Sequence, residues 1–208
     1  MKYIIMCGGG SINGVPKQMA EVNGEEITAR TIRLLRNEGV TDIAISSCNK
    51  AFEKYGVPVL EHHNSYFEKG GIQYWVDGFY PMDELTCYIF GDVFFSPAAI
   101  HTIVTTQTDD VEFFASAPPF AENYPKRWGE PFAMKVTNQD HFKRAIKRVK
   151  ELCDRGQFIR HPVSWELWQV LKDTPINYIN FRNFTAINDY TCDVDHSEDL
   201  SQWRYINE

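Results

Sequence analysis

The opening segment, MKYIIMCGGGSINGVPKQMAEVNG from Met1 to Gly24, constrains this chain more than any other. A short apolar run, Tyr3 to Met6, meets three glycines, Gly8, Gly9 and Gly10; Lys17 then follows Pro16, and a second turn stands at Asn23-Gly24. A buried strand that empties into a glycine loop brings backbone N–H groups close to a phosphate, and a lysine at the far end can cap its charge. Three successive glycines exceed what a tight turn needs. The segment reads as a nucleotide site. Two better-known loops are excluded. A P-loop needs GxxxxGK[ST], but here Gly14 is followed by Val15-Pro16, so the lysine falls too late. A dinucleotide fingerprint opens a helix, whereas Pro16 and the polar stretch Ser11 to Gly14 predict an extended loop.

Downstream, helical and strand periods alternate, which predicts a sheet covered by helices. Helices are expected over Ile27–Leu35 with a C-cap at Gly39, Asn49–Tyr55, Gly71–Phe79, Pro97–Thr105, Gln139–Asp154, Trp165–Leu171 and Leu200–Tyr205. Strands are expected over Asp42–Ser46, Val57–Leu60, Leu85–Phe90, Val111–Ala117, Phe132–Val136 and Tyr178–Phe181. At 208 residues, the chain is long enough for one α/β domain over residues 1–208, with no internal repeat.

A net charge of −7 disfavours a nucleic-acid surface, and the basic cluster Lys143 to Lys150 reads as the solvated face of a helix. Five cysteines with no CxxC pair read as small buried hydrophobes rather than a zinc site or a disulfide framework. The amino-terminal apolar run is too short for a signal peptide or a membrane helix. A soluble, cytoplasmic protein with no membrane or nucleic-acid partner is expected.

Three motifs in order carry a resemblance to a known family. They are Gly8-Gly9-Gly10 with Pro16-Lys17-Gln18 and Glu21 to Ile27, then Ile89-Phe90-Gly91-Asp92-Val93, then Cys192 to Leu200 (CDVDHSEDL). Together they resemble the nucleotidyltransferases that join an NTP to a sugar phosphate or small phospho-alcohol. The resemblance implies an α/β fold, a Rossmann-like three-layer αβα sandwich with a mixed, mostly parallel central sheet. It implies transfer of NMP, with CTP or UTP favoured, and release of pyrophosphate, in making activated precursors for surface polysaccharide or lipid. It implies Lys17, Asp92 and Asp195 as catalytic residues, Mg2+ held by Asp92 and Asp195, and nucleotide contacts from Gly8, Gly9, Gly10, Lys17, Gly70 and Gly71. The partners are an NTP and a phosphorylated acceptor, with homo-oligomerisation left open.

Asp92 would emerge at the carboxyl edge of a buried strand, where ligands bind in open α/β sheets; alone, it reads slightly more readily as a turn residue after Gly91, and the match to the family pattern tips it towards metal. Asp193 is the weaker acidic neighbour of Asp195, and Ser197 is expected to cap a last helix that begins with Glu198 and Asp199. Gln18 is expected to pack locally, and His62 and His63, which alternate faces, read as polar loop residues. Lys126, Arg127 and Trp128 could grip a phosphate or a sugar but read more simply as an exposed basic loop; Arg160, His161 and Arg182 are similarly placed. The family's first loop carries an arginine after its glycines, and here Ser11 to Gly14 is short and uncharged. That departure keeps a second class open, a non-catalytic nucleotide-binding relative. A glycosyltransferase is a third, disfavoured because Asp92-Val93-Phe94 lacks the DxD spelling after the central strand.

Overall fold

The computed structural model describes residues 1–63, 74–204 and 206. Its central sheet has seven strands: β1 (Lys2–Met6), β2 (Ile43–Ser46), β3 (Val59–Leu60), β4 (Thr86–Phe90), β5 (Val111–Ala115), β6 (Pro131–Val136) and β7 (Thr185–Ala186). They lie in the order β7-β5-β6-β4-β1-β2-β3, and only β6 runs against the rest. This is the mixed, mostly parallel sheet expected from the sequence. Its middle strands are predominantly apolar because both faces are covered, and the buried Lys135 of β6 is satisfied by Val104 O and Thr106 O. All five residues of β4 are buried, as are Tyr3, Ile4 and Ile5 of β1.

Among the described residues, four α-helices cover the sheet as the outer layers of an αβα sandwich: α1 (Ile27–Asn37), α2 (Pro97–Thr105), α3 (Gln139–Asp154) and α4 (Ser164–Leu171). Helix α1 packs on α2, and α3 packs on α4. Their ends follow local chemistry. Gly39, at φ 80°, sits just past α1, where its N–H reaches Arg36 O and that of Val40 reaches Leu35 O. Ser96 Oγ accepts from Ala99 N ahead of Pro97 at the start of α2, and Asn138 Oδ1 accepts from His141 N at the start of α3. Phe142, Ala145, Val149 and Leu152 form the buried stripe of α3.

Several sequence expectations are corrected. The stretch after the glycines is a tight hairpin, Ser11–Ile12 against Val15–Pro16, because Asn13 (φ 52°) and Gly14 (φ 82°) supply the two left-handed positions of a primed turn. Asn23 and Gly24 repeat the device between Glu21–Val22 and Glu25–Glu26, where a turn was expected. Residues 50–55 and 199–203 are 3-10 turns rather than α-helices. Of the helix expected over Gly71–Phe79, residues 71–73 lie outside the described residues, and Trp75–Gly78 is a 3-10 turn. Tyr178–Phe181 forms no strand. Its side chains stay partly exposed instead of entering a ladder, Asn183 turns the chain at φ 61°, and Thr185–Ala186 makes the edge pairing with β5.

Candidate active site

Strands β1 and β4 are neighbours and parallel, so their carboxyl ends deliver the glycine loop and Asp92 to one edge of the sheet. The junction is tight. Gly91 N donates to Met6 O at 3.1 Å, and a Cβ on Gly91 would lie 2.5 Å from that oxygen and 2.9 Å from Cys7 Sγ. Glycine is required there by close approach, which makes the Gly-Asp pair a structural hinge and not only turn chemistry.

The two hairpins frame Lys17, which opens a 3-10 turn over Lys17–Met19. Gly10, at φ 72°, lies flat on the Lys17 stem, where a Cβ would meet Cε at 2.9 Å, and its carbonyl accepts from Lys17 N. Gln18 packs locally, as expected: it is buried, and its Nε2 donates to Gly9 O at 3.4 Å.

Asp195 arrives from the far end of the chain. Cys192–Asp193 pairs antiparallel with Val93–Phe94, and Val194 N donates to Asp92 O at 2.8 Å, so the carboxyl-terminal segment is zipped onto the residues after β4. Trp203 anchors it; the ring lies 4.8 Å from that of Phe94, and its Nε1 donates to Tyr190 O. Ser197 does not cap the last turn. Asp199 takes a different role, its Oδ2 accepting from both Asp195 N and His196 N and fixing the Asp195 backbone.

These segments meet at Lys17. Its Nζ stands 2.9 Å from Asp92 Oδ2 and 3.2 Å from Asp195 Oδ1. Burial works against the Lys17 charge, but the two carboxylates outweigh it and raise its pKa. The other oxygen of Asp195, Oδ2, lies 3.0 Å from Lys126 Nζ. Lys126 also touches Asp193 Oδ1 and stands 3.2 Å from Glu130 Oε1. Burial pushes the Asp193 carboxyl up to about 7, helped by the like charge of Glu130, while Lys126 and Lys17 hold Asp195 below the ordinary carboxylate range against its own burial.

Sequence reasoning missed Glu130 and the burial of Lys126. Lys126 is not part of an exposed loop but is 9% exposed. The segment before β6 is folded inward by Tyr124, whose Oη reaches Ser116 Oγ and donates to Trp128 O, while Ser116 N donates to Glu130 O. Gly129 leaves no room for a Cβ, which would meet Phe181 Cε1 at 2.5 Å. The usable signal was the pair Phe120 and Tyr124, whose rings stack at 5.0 Å and carry the segment inward. Trp128 itself is 59% exposed with its Nε1 on Glu130, and Arg127 is exposed.

A cleft of about 680 Å³ opens over this cluster. Gly8, Lys17, Asp92, Asp193 and Asp195 line one side of it, and Trp128, Arg160, Ser164, Trp165, Ile179 and Phe181 line the other. Arg160 Nε donates to Glu166 Oε1 at 2.6 Å at the amino end of α4, and Ser164 Oγ is fully buried with no hydrogen-bond partner among the described residues. His161 and Arg182 do not line the cleft. His62 does, with its ring nitrogen on Asp77 O, in keeping with a polar loop residue. Gly70 and Gly71 lie outside the described residues. Cys7, Cys87 and Cys192 are buried as expected, whereas Cys48 is exposed.

The donor set suits a hard divalent cation. Glu130, Asp193 and Asp195 each offer an oxygen within 4.8 Å of the others, Asp92 adds a fourth carboxylate, and two ammonium groups leave two negative charges unbalanced when all are ionised.

No protein-family model matches the chain, and no curated protein matches it in sequence. Solved structures do match in fold. The inositol-1-phosphate CTP transferase of T. maritima superposes with a TM-score of 0.58 at 16% identity, over 98% of this chain and 96% of that one. The 4-diphosphocytidyl-2C-methyl-D-erythritol synthase of Anaerococcus prevotii gives 0.58 at 12% identity, over 98% and 93%. A Bacillus anthracis protein assigned as a glucose-1-phosphate thymidylyltransferase, solved with sucrose, gives 0.56 at 16% identity, over 100% and 96%. The chain therefore has the fold of the nucleotidyltransferases that act on sugar phosphates and phospho-alcohols, as its motifs implied. Among the described residues no helix is long and apolar enough to cross a membrane.

Proposed function

We propose that the chain is a magnesium-dependent nucleotidyltransferase that moves NMP from an NTP, CTP or UTP, to the phosphate of a sugar phosphate or small phospho-alcohol, making an activated precursor for surface polysaccharide or lipid. The observation that carries this reading is the convergence of Asp92, from the middle of the sequence, and Asp195, from near its far end, on Lys17 beneath the glycine loop. Gly8 to Gly10 offer backbone N–H groups to the triphosphate, and Lys17 turns from the two carboxylates to the phosphates when they arrive. Asp92 and Asp195 would hold magnesium, whose charge would neutralise phosphate oxygens as pyrophosphate departs.

An oxygen of the acceptor phosphate forms the new bond to the α-phosphorus, and the bond to the bridging oxygen breaks, its electron pair leaving with pyrophosphate. A phosphate dianion is nucleophilic at neutral pH, so no general base is needed. The protein's task is alignment and charge neutralisation. Trp128, Trp165 and Phe181 give the acceptor an aromatic wall, with Arg160 and Ser164 as its polar contacts.

The test is a pyrophosphate-release assay with magnesium, each of the four NTPs, and a panel of sugar 1-phosphates and phospho-alcohols. Release that needs one NTP and one acceptor, and disappears in Asp92→Ala, is the expected result. One observation favours a second reading, a binding protein without turnover: the hairpin Ser11–Pro16 carries no cation where relatives place an arginine. Nucleotide binding by calorimetry with no release for any pair would select it.

A further inference from the structure

Lys126 has a place that the proposed chemistry does not use. Its ammonium sits among three carboxylates, 3.2 Å from Glu130 Oε1, 3.0 Å from Asp195 Oδ2 and in contact with Asp193 Oδ1. The same three carboxylates have oxygens close enough together to surround a metal ion. We propose that Lys126 is the resident cation of this three-carboxylate pocket, so that divalent metal is excluded from it and directed to the Asp92–Asp195 edge beside the glycine loop.

The two lysines of the site differ in ways that support this assignment. Lys17 is held by two carboxylates at the mouth of the cleft, next to a loop built to receive phosphate, so an arriving triphosphate competes for it. Lys126 is held by three, its side chain is 7% exposed, and the indole of Trp128 lies over its Nζ at 5.7 Å. Moving it would strand Glu130 and Asp193, two carboxylates largely removed from water, without a counter-charge. Asp195 divides its oxygens between the two, Oδ2 to Lys126 and Oδ1 to Lys17. Fixing Oδ2 leaves Oδ1 turned toward Asp92. Lys126 is thus a positioning residue: it replaces one metal ion permanently and orients the carboxylate that faces the other. The reading of the site as a nucleotidyltransferase gives this arrangement its purpose, but the exclusion of metal is a property of the folded chain with or without turnover.

The probe is Mn2+ alone, followed by electron paramagnetic resonance, on the full chain without nucleotide. The isosteric, uncharged Lys126→Met is expected to gain a Mn2+ site at least about tenfold tighter than any in the wild type. Adding Glu130→Gln to it should abolish the gain, and Lys126→Arg should behave as the wild type does. Equal Mn2+ affinity in wild type and Lys126→Met would overturn the proposal. Should Lys126→Met fail to fold, Glu130→Gln in the wild-type background decides: unchanged Mn2+ binding with nucleotide present supports a lysine-filled pocket, and a tenfold or greater loss makes Glu130 a metal ligand and refutes it. Absence of pyrophosphate release with the Mn2+ contrast intact would sink the transferase reading and leave Lys126's role standing.

Discussion

The two walls of the cleft are built by different means. The wall proposed for the nucleotide is made at the ends of two adjacent parallel strands, β1 and β4, with a glycine loop, two Asn-Gly hairpins and a Gly-Asp junction. Each part is short in sequence and has a geometry that its residue types dictate. The wall proposed for the acceptor draws on the segment before β6, the amino end of α4 and the irregular stretch 178–184, joined by contacts such as Gly129 against Phe181 and Trp165 against Phe181. Reaction chemistry shared across a fold can be fixed by rigid elements, while the choice of acceptor can be left to loops that vary without disturbing the sheet.

Substitutions on the two walls should therefore separate kinetically. The largest loss is expected for Lys17→Ala or Asp92→Ala, which remove charge neutralisation at the reacting phosphates; pyrophosphate release should fall by about 10²–10³-fold or more in kcat. A similar fall from Arg160→Gln would erase the distinction between the walls. Next, Trp128→Ala and Ser164→Ala should raise the KM for the acceptor by about tenfold, the loss of one or two good contacts, and leave that for the NTP within about twofold. Both KM values moving together would merge the walls into one binding unit.

Gly91→Ala tests the junction itself. Its new methyl would press on Met6 O and Cys7 Sγ, and a cost of about 1–3 kcal/mol is expected from the urea midpoint, against a smaller cost for Gly14→Asn in the hairpin turn, because asparagine is among the few residues that adopt a left-handed φ. The smallest effect concerns pH. Asp193 has a raised pKa of about 7, so between the ordinary carboxylate value and pH 7 the folded chain binds more protons than the unfolded one, and stability falls as pH rises through that window. Relative to Asp193→Asn, the wild type should lose melting temperature between pH 5 and pH 7.5, the opposite of an ordinary ion-paired aspartate.

The same contrast explains what could be read from the residues. Helices α2 and α3 are legible to the residue because Ser96-Pro97 and Asn138 start them, and β1, β2 and β4 because unbroken apolar runs of that length have to be covered on both faces. Lys17 could be singled out from its place after the glycine loop and Pro16, and Asp92 and Asp195 from the resemblance of their segments to the family's motifs. Glu130 and the buried place of Lys126 could not be foreseen. Their roles depend on Tyr124 and Ser116 folding the segment inward and on Asp193 lying opposite, and no local spacing encodes a meeting of residues 126 and 193. Tyr178–Phe181 misled for a related reason: a short run rich in apolar residues also serves a loop that lends Ile179 and Phe181 to a cleft.

The central claim is that Asp92 and Asp195 form one unit around one cation, and a double-mutant cycle tests it most directly. Turnover and nucleotide affinity with Mg2+ would be measured for Asp92→Asn, Asp195→Asn and the double variant. The account predicts strong non-additivity, with the double variant hardly worse than either single one, because losing one carboxylate already dismantles the shared site. Losses that multiply in full would show two carboxylates acting independently and would contradict it.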